Sequence, residues 1–325
     1  WWNGLDPQDL YEQRHTPSPG FEHANSVHGR WNWNNGVSQP DQAYCEKFYN
    51  RTMDLINKYQ PDLIYFDDTT LPLWPVTDAG LKIAAHFYNT NLKRKGVGAG
   101  VLFGKVLTED QRKALVWDIE RGVPNSILPF PWQTDTCIGG WHYSKGDYNR
   151  YKSPKTVVHM LADIVSKNGN LLLNIPVRGD GSIDDREEKV LEGIAAWMEV
   201  NKESILATRP WKTFGEGPAS AGSELRAQGF NEGKGKPFTA EDIRYTASKD
   251  GKVLYAIVRG VPSGSVSLKS LGKTAGLLDR PVAKVEQLGA TSPLKWTPGD
   301  DALTVTPASA KPASDAAIVF KITLK

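Results

Sequence analysis

The feature that most constrains this chain is a change of hydrophobic period near residue 206. Before it, continuous apolar runs alternate with segments whose apolar residues recur at helical spacing. Beyond it, apolar and polar residues alternate strictly, with turn residues between the runs. The first grammar describes buried parallel strands with helices packed outside; the second describes an antiparallel sandwich.

The runs can be placed one by one. Asp41, after Pro40, is positioned to cap a helix whose face carries Tyr44, Phe48, Leu55, Ile56 and Tyr59. That helix leads through Pro61 into an apolar strand over 63–67. Further strands are expected over 100–107 and 114–122, the latter with a start over 111–115 that also fits a helix. Ser153 and Pro154 open a helix with Val157, Met160, Leu161 and Ile164 on one face, closed by Asn168-Gly169. A strand follows in "NLLLNIPVRGDG", then a helix over about 184–204 with Val190, Leu191, Ile194, Trp197 and Met198 inward. Asp250-Gly251 joins two alternating runs as a type I′ hairpin turn would. The expected organisation is a (β/α) barrel portion over 1–205 and a β-sandwich over 206–325, linked by a Gly- and Ser-rich stretch over 215–235. A closed eight-stranded barrel takes roughly 250 residues. The first domain is short of that, so the sheet is open or its first strands lie before Trp1.

Composition narrows the function. Thirty-nine basic residues face 37 acidic ones, a net charge of +2 with no basic run, which speaks against a nucleic-acid partner. No apolar run reaches the length of a bilayer span. The chain opens on "WWNGLDPQDLY", without Met or a charged leader, so it is read as starting inside a longer polypeptide. Cys45 and Cys137 fit two free thiols in packed elements better than a disulfide framework. No spacing of His, Asp or Glu suits a metal, and no cofactor is expected.

Aromatic residues are the compositional anomaly, with 11 Trp and 11 Tyr. "WNWNNG", "FPWQTD" and "GGWHYS" sit among Gly, Pro and Asn and read as loops. Flat rings on loops are platforms for sugar rings, whose C–H faces are apolar. Packing under long loops is the competing account for each of them. Trp132, Trp141 and His142 are candidate substrate contacts; among the remaining histidines, His15, His23, His28 and His86 attract no role and His159 is placed inside a helix.

Two strand tips carry carboxylates: Asp67 after "LIYF" and Glu120 after "VWDI". At the carboxyl ends of parallel strands such side chains point into a site, and a pair of carboxylates is the apparatus of glycoside hydrolysis. A helix cap or an ion pair is the plainer use of either one alone.

These residues resemble a known family. "YQPDLIYFDD" is similar to the nucleophile strand of the family 29 α-L-fucosidases, and its motif ends on Asp67. "GNLLLNIPVRGDGSID" resembles the same family's late barrel strand, and "RPW" fits the run into its C-terminal sandwich. The resemblance covers nearly the whole chain but corresponds to about the last two thirds of such an enzyme. It implies a retaining hydrolase acting on a fucosylated oligosaccharide or glycoconjugate, with Asp67 as nucleophile and Tyr65 beside it at the sugar. Many members carry a Glu of a Trp-Glu pair as acid/base; here that place holds Gln133, which transfers no proton. Glu120 takes the role instead, with Asp118 and Asp135 as rivals. The first strands that the resemblance leads one to expect exist as another segment, are lost by processing or gene truncation, or are replaced by a partner chain. The expected partners are a homo-oligomer or a chain supplying those strands, and the family context implies a secreted or periplasmic protein. A non-catalytic carbohydrate-binding remnant, or a retaining hydrolase for a related sugar such as α-galactose, are the alternatives.

Overall fold

The computed structural model describes residues 42–67, 72–74, 77–96, 100–147, 150–220, 230–308, 312 and 314–325. Asp41, Asp68, the "WNWNNG" segment and His15, His23 and His28 lie outside the described residues. The chain forms two compact units, 1–118 and 119–325.

In the first unit, helix α1 (Gln42–Tyr59) precedes strand β1 (Leu63–Phe66), helix α2 (Ala79–Lys95), strand β2 (Val101–Gly104) and the start of strand β3 (Val116–Glu120). The strands are parallel: Leu63 to Phe66 pair with Val101 to Gly104, and Phe103 and Gly104 with Val116 and Trp117. A 3-10 turn over Gln111–Lys113 occupies the stretch for which helix and strand were both open. The inner face of α1 matches the expected one in part: Tyr44 and Phe48 pack with Cys45, Tyr49, Leu73 and Ala79, and Ile56 is buried, whereas Leu55 and Tyr59 face solvent. Helix α2 has no counterpart in the sequence reading, because its apolar residues are spread around it, with Ile83 and Phe87 buried but Leu81 and Leu92 exposed, and Asp78 makes no side-chain cap bond. Its close approach to the start of β2 needs a glycine: a Cβ on Gly100 would meet the Phe87 ring at 2.8 Å.

The second unit contains the end of β3, strand β4 (Trp132–Cys137), helix α3 (Pro154–Ser166), strand β5 (Gly169–Asn174) and helix α4 (Asp185–Asn201). β4 and β5 are parallel in register from Trp132↔Gly169 to Cys137↔Asn174. Strand β4 corrects the reading of "FPWQTD" as a loop. Its six residues are all buried, and a strand buried on both faces shows no alternation. Its polar members are affordable inside because they are bonded: Thr134 Oγ1 donates to the Ile119 carbonyl at 2.9 Å and accepts from the Gly122 amide at 3.2 Å. Helix α3 starts as the sequence predicts, with Ser153 Oγ accepting the Thr156 amide at 3.1 Å and Pro154 at the first position. Asp184 caps α4 by accepting two amides, from Arg186 and Glu187.

Antiparallel strands begin at Thr208. A five-stranded sheet has the order β10 (Val282–Gln287), β13 (Ile318–Leu324), β8 (Val253–Val258), β7 (Ile243–Ser248), β6 (Thr208–Glu216); a second sheet joins β11 (Lys295–Pro298), β12 (Leu303–Thr306) and β9 (Val266–Leu268). Between the sheets lie Tyr245, Phe320, Ile322, Leu268 and Leu303. On the other face of the larger sheet, Tyr255, Ile257 and Val319 pack against Val158, Ala162 and Trp197 of α3 and α4. Burial on both faces explains the unbroken apolar run of β8. The two strands are joined as a hairpin, but not through the expected type I′ turn: the Gly251 amide donates to the Ser248 carbonyl at 3.0 Å, and Gly251 at φ 68° follows an Asp250 that is not at positive φ. The architecture is thus a parallel-stranded, incomplete barrel and a β-sandwich.

Candidate active site

Asp67 is the residue immediately after β1, where the strand's last side chain leaves the sheet. It is 64% exposed and is held by two groups. Lys105, immediately after β2, places Nζ 3.1 Å from Asp67 Oδ1, and the Tyr65 hydroxyl donates to the same oxygen at 3.4 Å. Tyr65 itself rests at a tilt against Phe103. Lys105 is only 6% exposed, and Asp118 Oδ1 lies 3.8 Å from its ammonium. Buried cations need a counter-charge, and Asp118, with no side-chain exposure, supplies it. The tip of β1 thus presents an accessible carboxylate on a buried cationic support.

The tip of β3 is organised differently. Glu120 is its last residue and is half-buried. Arg121 follows at φ 40°, a left-handed conformation that costs a side-chain-bearing residue about 1–2 kcal/mol. Four bonds hold it there. Its amide donates to Asp135 Oδ1 at 3.0 Å, its carbonyl accepts the Asn231 and Glu232 amides at 3.2 and 2.9 Å, and its Nε donates to Glu232 Oε2 at 2.8 Å. Asn231 also exchanges two bonds with the Val123 backbone. Glu232 further receives Lys152 at 2.7 Å and the Thr136 hydroxyl at 2.8 Å. Burial pushes the Glu232 carboxyl up, but Arg121, Lys152 and Thr136 together outweigh that and hold it below the usual range.

The aromatic candidates separate. Trp132 is 1% exposed at the opposite end of β4 from the tip, and its indole N–H is spent on the Lys167 carbonyl at 2.9 Å. A ring with no free face is no sugar platform, so this expectation is corrected: Trp132 is core. Trp141 is 41% exposed in the bend beyond β4, its carbonyl bonded by Asn174 at the tip of β5 at 3.1 Å. His142 beside it is exposed, and the Tyr143 ring faces the Arg178 guanidinium. Cys45 and Cys137 are buried and stand outside any disulfide among the described residues. Among the described residues no group of His, Cys, Asp and Glu is placed to hold a metal ion, and no helix is long and apolar enough to cross a membrane.

Comparison with known families fixes the relationship. A family model described as Alpha-L-fucosidase matches residues 14–203, more than half of the chain. The chain belongs to the α-L-fucosidase family. It is 28% identical over 257 residues to the plasma alpha-L-fucosidase of Rattus norvegicus, a match covering 75% of this chain and 48% of that relative. A solved alpha-L-fucosidase superposes with a TM-score of 0.65 at 20% identity over 90% of this chain and 58% of the other. A family 29 fucosidase of Bacteroides thetaiotaomicron, solved as a trapped covalent intermediate with 2-fluoro-fucosyl fluoride, gives 0.60 at 17% identity, over 87% and 61%. This fucosidase-family chain spans about half the length of the curated relatives it matches.

Sequence reasoning missed Lys105 and Glu232. Lys105 had a signal, as a lysine at the tip of an apolar strand. Glu232 had none: it lies in a Gly-rich stretch, 111 residues from the arginine it holds and beyond the matched family region.

Proposed function

We propose that the protein is a retaining α-L-fucosidase acting on terminal α-L-fucosyl groups of glycans. The reading rests chiefly on Asp67, which combines the family's strand-tip position with an accessible carboxylate whose Oδ1 is fixed by Lys105 and Tyr65. Asp67 attacks the anomeric carbon as the bond to the aglycone oxygen breaks, and Glu120 gives that oxygen its proton. Glu120 then takes a proton from water, whose oxygen attacks the anomeric carbon and releases Asp67. The covalent intermediate trapped in the Bacteroides thetaiotaomicron relative supports this two-step course. Glu120 is preferred to its rivals on access: Asp118 and Asp135 are 1% and 4% exposed, the first serving Lys105 and the second the Arg121 amide. Trp141 and His142, both exposed beyond β4, are the aromatic groups assigned to the sugar.

The test is hydrolysis of an aryl α-L-fucoside followed by proton NMR. The expected first product is α-L-fucose, and Asp67→Gly removes turnover, with azide restoring part of it as β-fucosyl azide. First release of β-fucose, full activity of Asp67→Gly, or turnover of the aryl α-galactoside in place of the fucoside would overturn the reading.

A further inference from the structure

The second unit contains a cavity of about 390 Å³ that the proposed hydrolysis does not use. That volume lies in the range of small-molecule sites. Glu120 does not line it. Its apolar wall includes Val123, Met160, Phe214 and Phe238. Four cations among the described lining residues, Arg121, Lys167, Lys236 and Arg244, face two carboxylates, Asp163 and Glu232.

Both carboxylates are already saturated. Asp163 Oδ1 takes Arg244 Nε at 2.6 Å and Arg259 Nη2 at 3.1 Å, and its Oδ2 takes Lys167 Nζ at 2.9 Å. Glu232 is shared by Arg121 and Lys152. Asp242, buried behind the cavity, accepts the Ala219 and Thr239 amides. Counted together, Lys167, Arg244 and Arg259 outnumber Asp163 and Asp242 by one charge, with almost no solvent to screen it. Lys167 and Arg244, at 9% and 2% side-chain exposure, line the cavity with donors to spare. Lys167 Nζ has one acceptor among the described residues, and Arg244 Nη2 has none. Phe214 stacks on both cations and Phe238 on Arg259 at 3.5 Å, so that Arg259 Nε and Nη1 meet no acceptor. Burial pushes the Arg259 guanidinium down to about 9, with Arg244 adding to the effect, as uncompensated positive charge requires.

We propose that this cavity is a binding site for a small organic carboxylate with a compact apolar or aromatic body. The carboxylate meets Lys167 and Arg244; the body lies along Phe214, Phe238 and Met160. A bare inorganic anion would satisfy the charge and leave the apolar wall wet, and a neutral isostere would do the reverse.

The inference is independent of the fucosidase reading, and its test is binding. Fluorine NMR of the full chain is run with 4-fluorobenzoate and with 4-fluorobenzamide as its neutral isostere. Saturable 1:1 binding of the benzoate is expected, with the amide at least about tenfold weaker. Lys167→Met lowers affinity for the benzoate by at least about tenfold. Because that change disturbs a buried ion cluster, Ala219→Phe serves as the second variant, filling the cavity without removing a charge. It is expected to keep the melting temperature and lose the benzoate. Equal affinity for the two probes, unchanged benzoate binding by Ala219→Phe, or no saturation up to about 10 mM benzoate would each overturn the proposal.

Discussion

The tips of β1 and β3 both present a carboxylate, and they are built in opposite ways. At β1 the side chain is the held object: Asp67 is mostly exposed, and a buried lysine and a tyrosine hydroxyl reach out to it. At β3 the backbone is the held object: Arg121, the residue after Glu120, is kept at a positive φ by Asp135, Asn231 and Glu232. The difference suits the two proposed roles. A nucleophile needs a free oxygen on an aligned carboxylate, whereas an acid/base must stay in place while its charge changes twice. Stability and activity should therefore separate at the first tip and travel together at the second.

The largest effect tests the roles directly. Glu120→Gln should slow hydrolysis of natural glycosides and other poor leaving groups by about 10²–10⁴-fold. Aryl fucosides with activated leaving groups should keep a fast first step, seen as a burst of phenol. Equal losses on both substrate classes would transfer the role to Asp118 or Asp135. At the other tip, Asp67→Asn should abolish turnover yet shift stability by less than about 0.5 kcal/mol, because Asp67 is itself mostly exposed and buried Lys105 keeps Asp118 as its counter-charge. Urea unfolding of the variant checks this, and a large loss of stability would show that the β1 tip is itself a structural lock.

The second effect is structural. Glu232 is largely buried between Arg121 and Lys152, and removing one partner of such a cluster leaves charge uncompensated. Glu232→Gln should cost about 2–4 kcal/mol in chemical denaturation and should lower kcat more than it raises KM. A variant with normal stability would mean that the loop over 231–232 follows the β3 tip and does not hold it.

How much of this was legible in the sequence depends on the range of the interaction. The strand over 63–67, the Ser153-Pro154 helix start and the Asp250-Gly251 hairpin were readable because cap, periodicity and turn chemistry act within a few residues. Asp67 was readable because a strand tip needs no knowledge of its partners. Strand β4 was not, because "WQTDTC" is buried by its neighbours and its polar atoms find partners far along the chain, in β3, Arg121 and Glu232, none of which leaves a period in the sequence. Trp132 was misplaced for the same reason. Glu232 illustrates the limit: the bond to Arg121 spans 111 positions, and nothing local in "NEGKG" announces it.

Acid should weaken the second unit in two steps. His159 is buried beneath the sandwich with its Nε2 on the Ala316 carbonyl at 2.7 Å, and burial lowers its pKa to about 4. A base whose folded pKa is depressed binds fewer protons folded than unfolded, so its contribution is complete above about pH 6.5 and is lost as pH falls toward 4. That loss is about 2–3 kcal/mol. Glu232, held below the usual carboxylate range, adds its own loss below about pH 4.3. Melting temperatures between pH 7 and 4 should fall, and His159→Gln should flatten the upper part of that curve. A flat profile in the parent chain would remove the buried neutral imidazole from the account.

The smallest effect separates strain from its support. Val106 follows Lys105 at φ 49°, as Arg121 follows Glu120 at φ 40°. Glycine at either position relieves about 1–2 kcal/mol of left-handed strain and gives back about 0.5–1 kcal/mol through the freer unfolded chain. Val106 is 59% exposed, so little packing is lost with its side chain. Val106→Gly should therefore be neutral or stabilising by up to about 1 kcal/mol. Arg121→Gly gains the same relief but removes a cation from Glu232 and a stack on Phe230, and should be destabilising by about 1–3 kcal/mol. Opposite signs in parallel urea titrations would show that the β3 tip is kept in its strained form by side chains recruited to hold it. Two stabilising substitutions would mean that the Arg121–Glu232 pair contributes nothing to the lock, and that the Asp135 and Asn231 bonds to the backbone suffice.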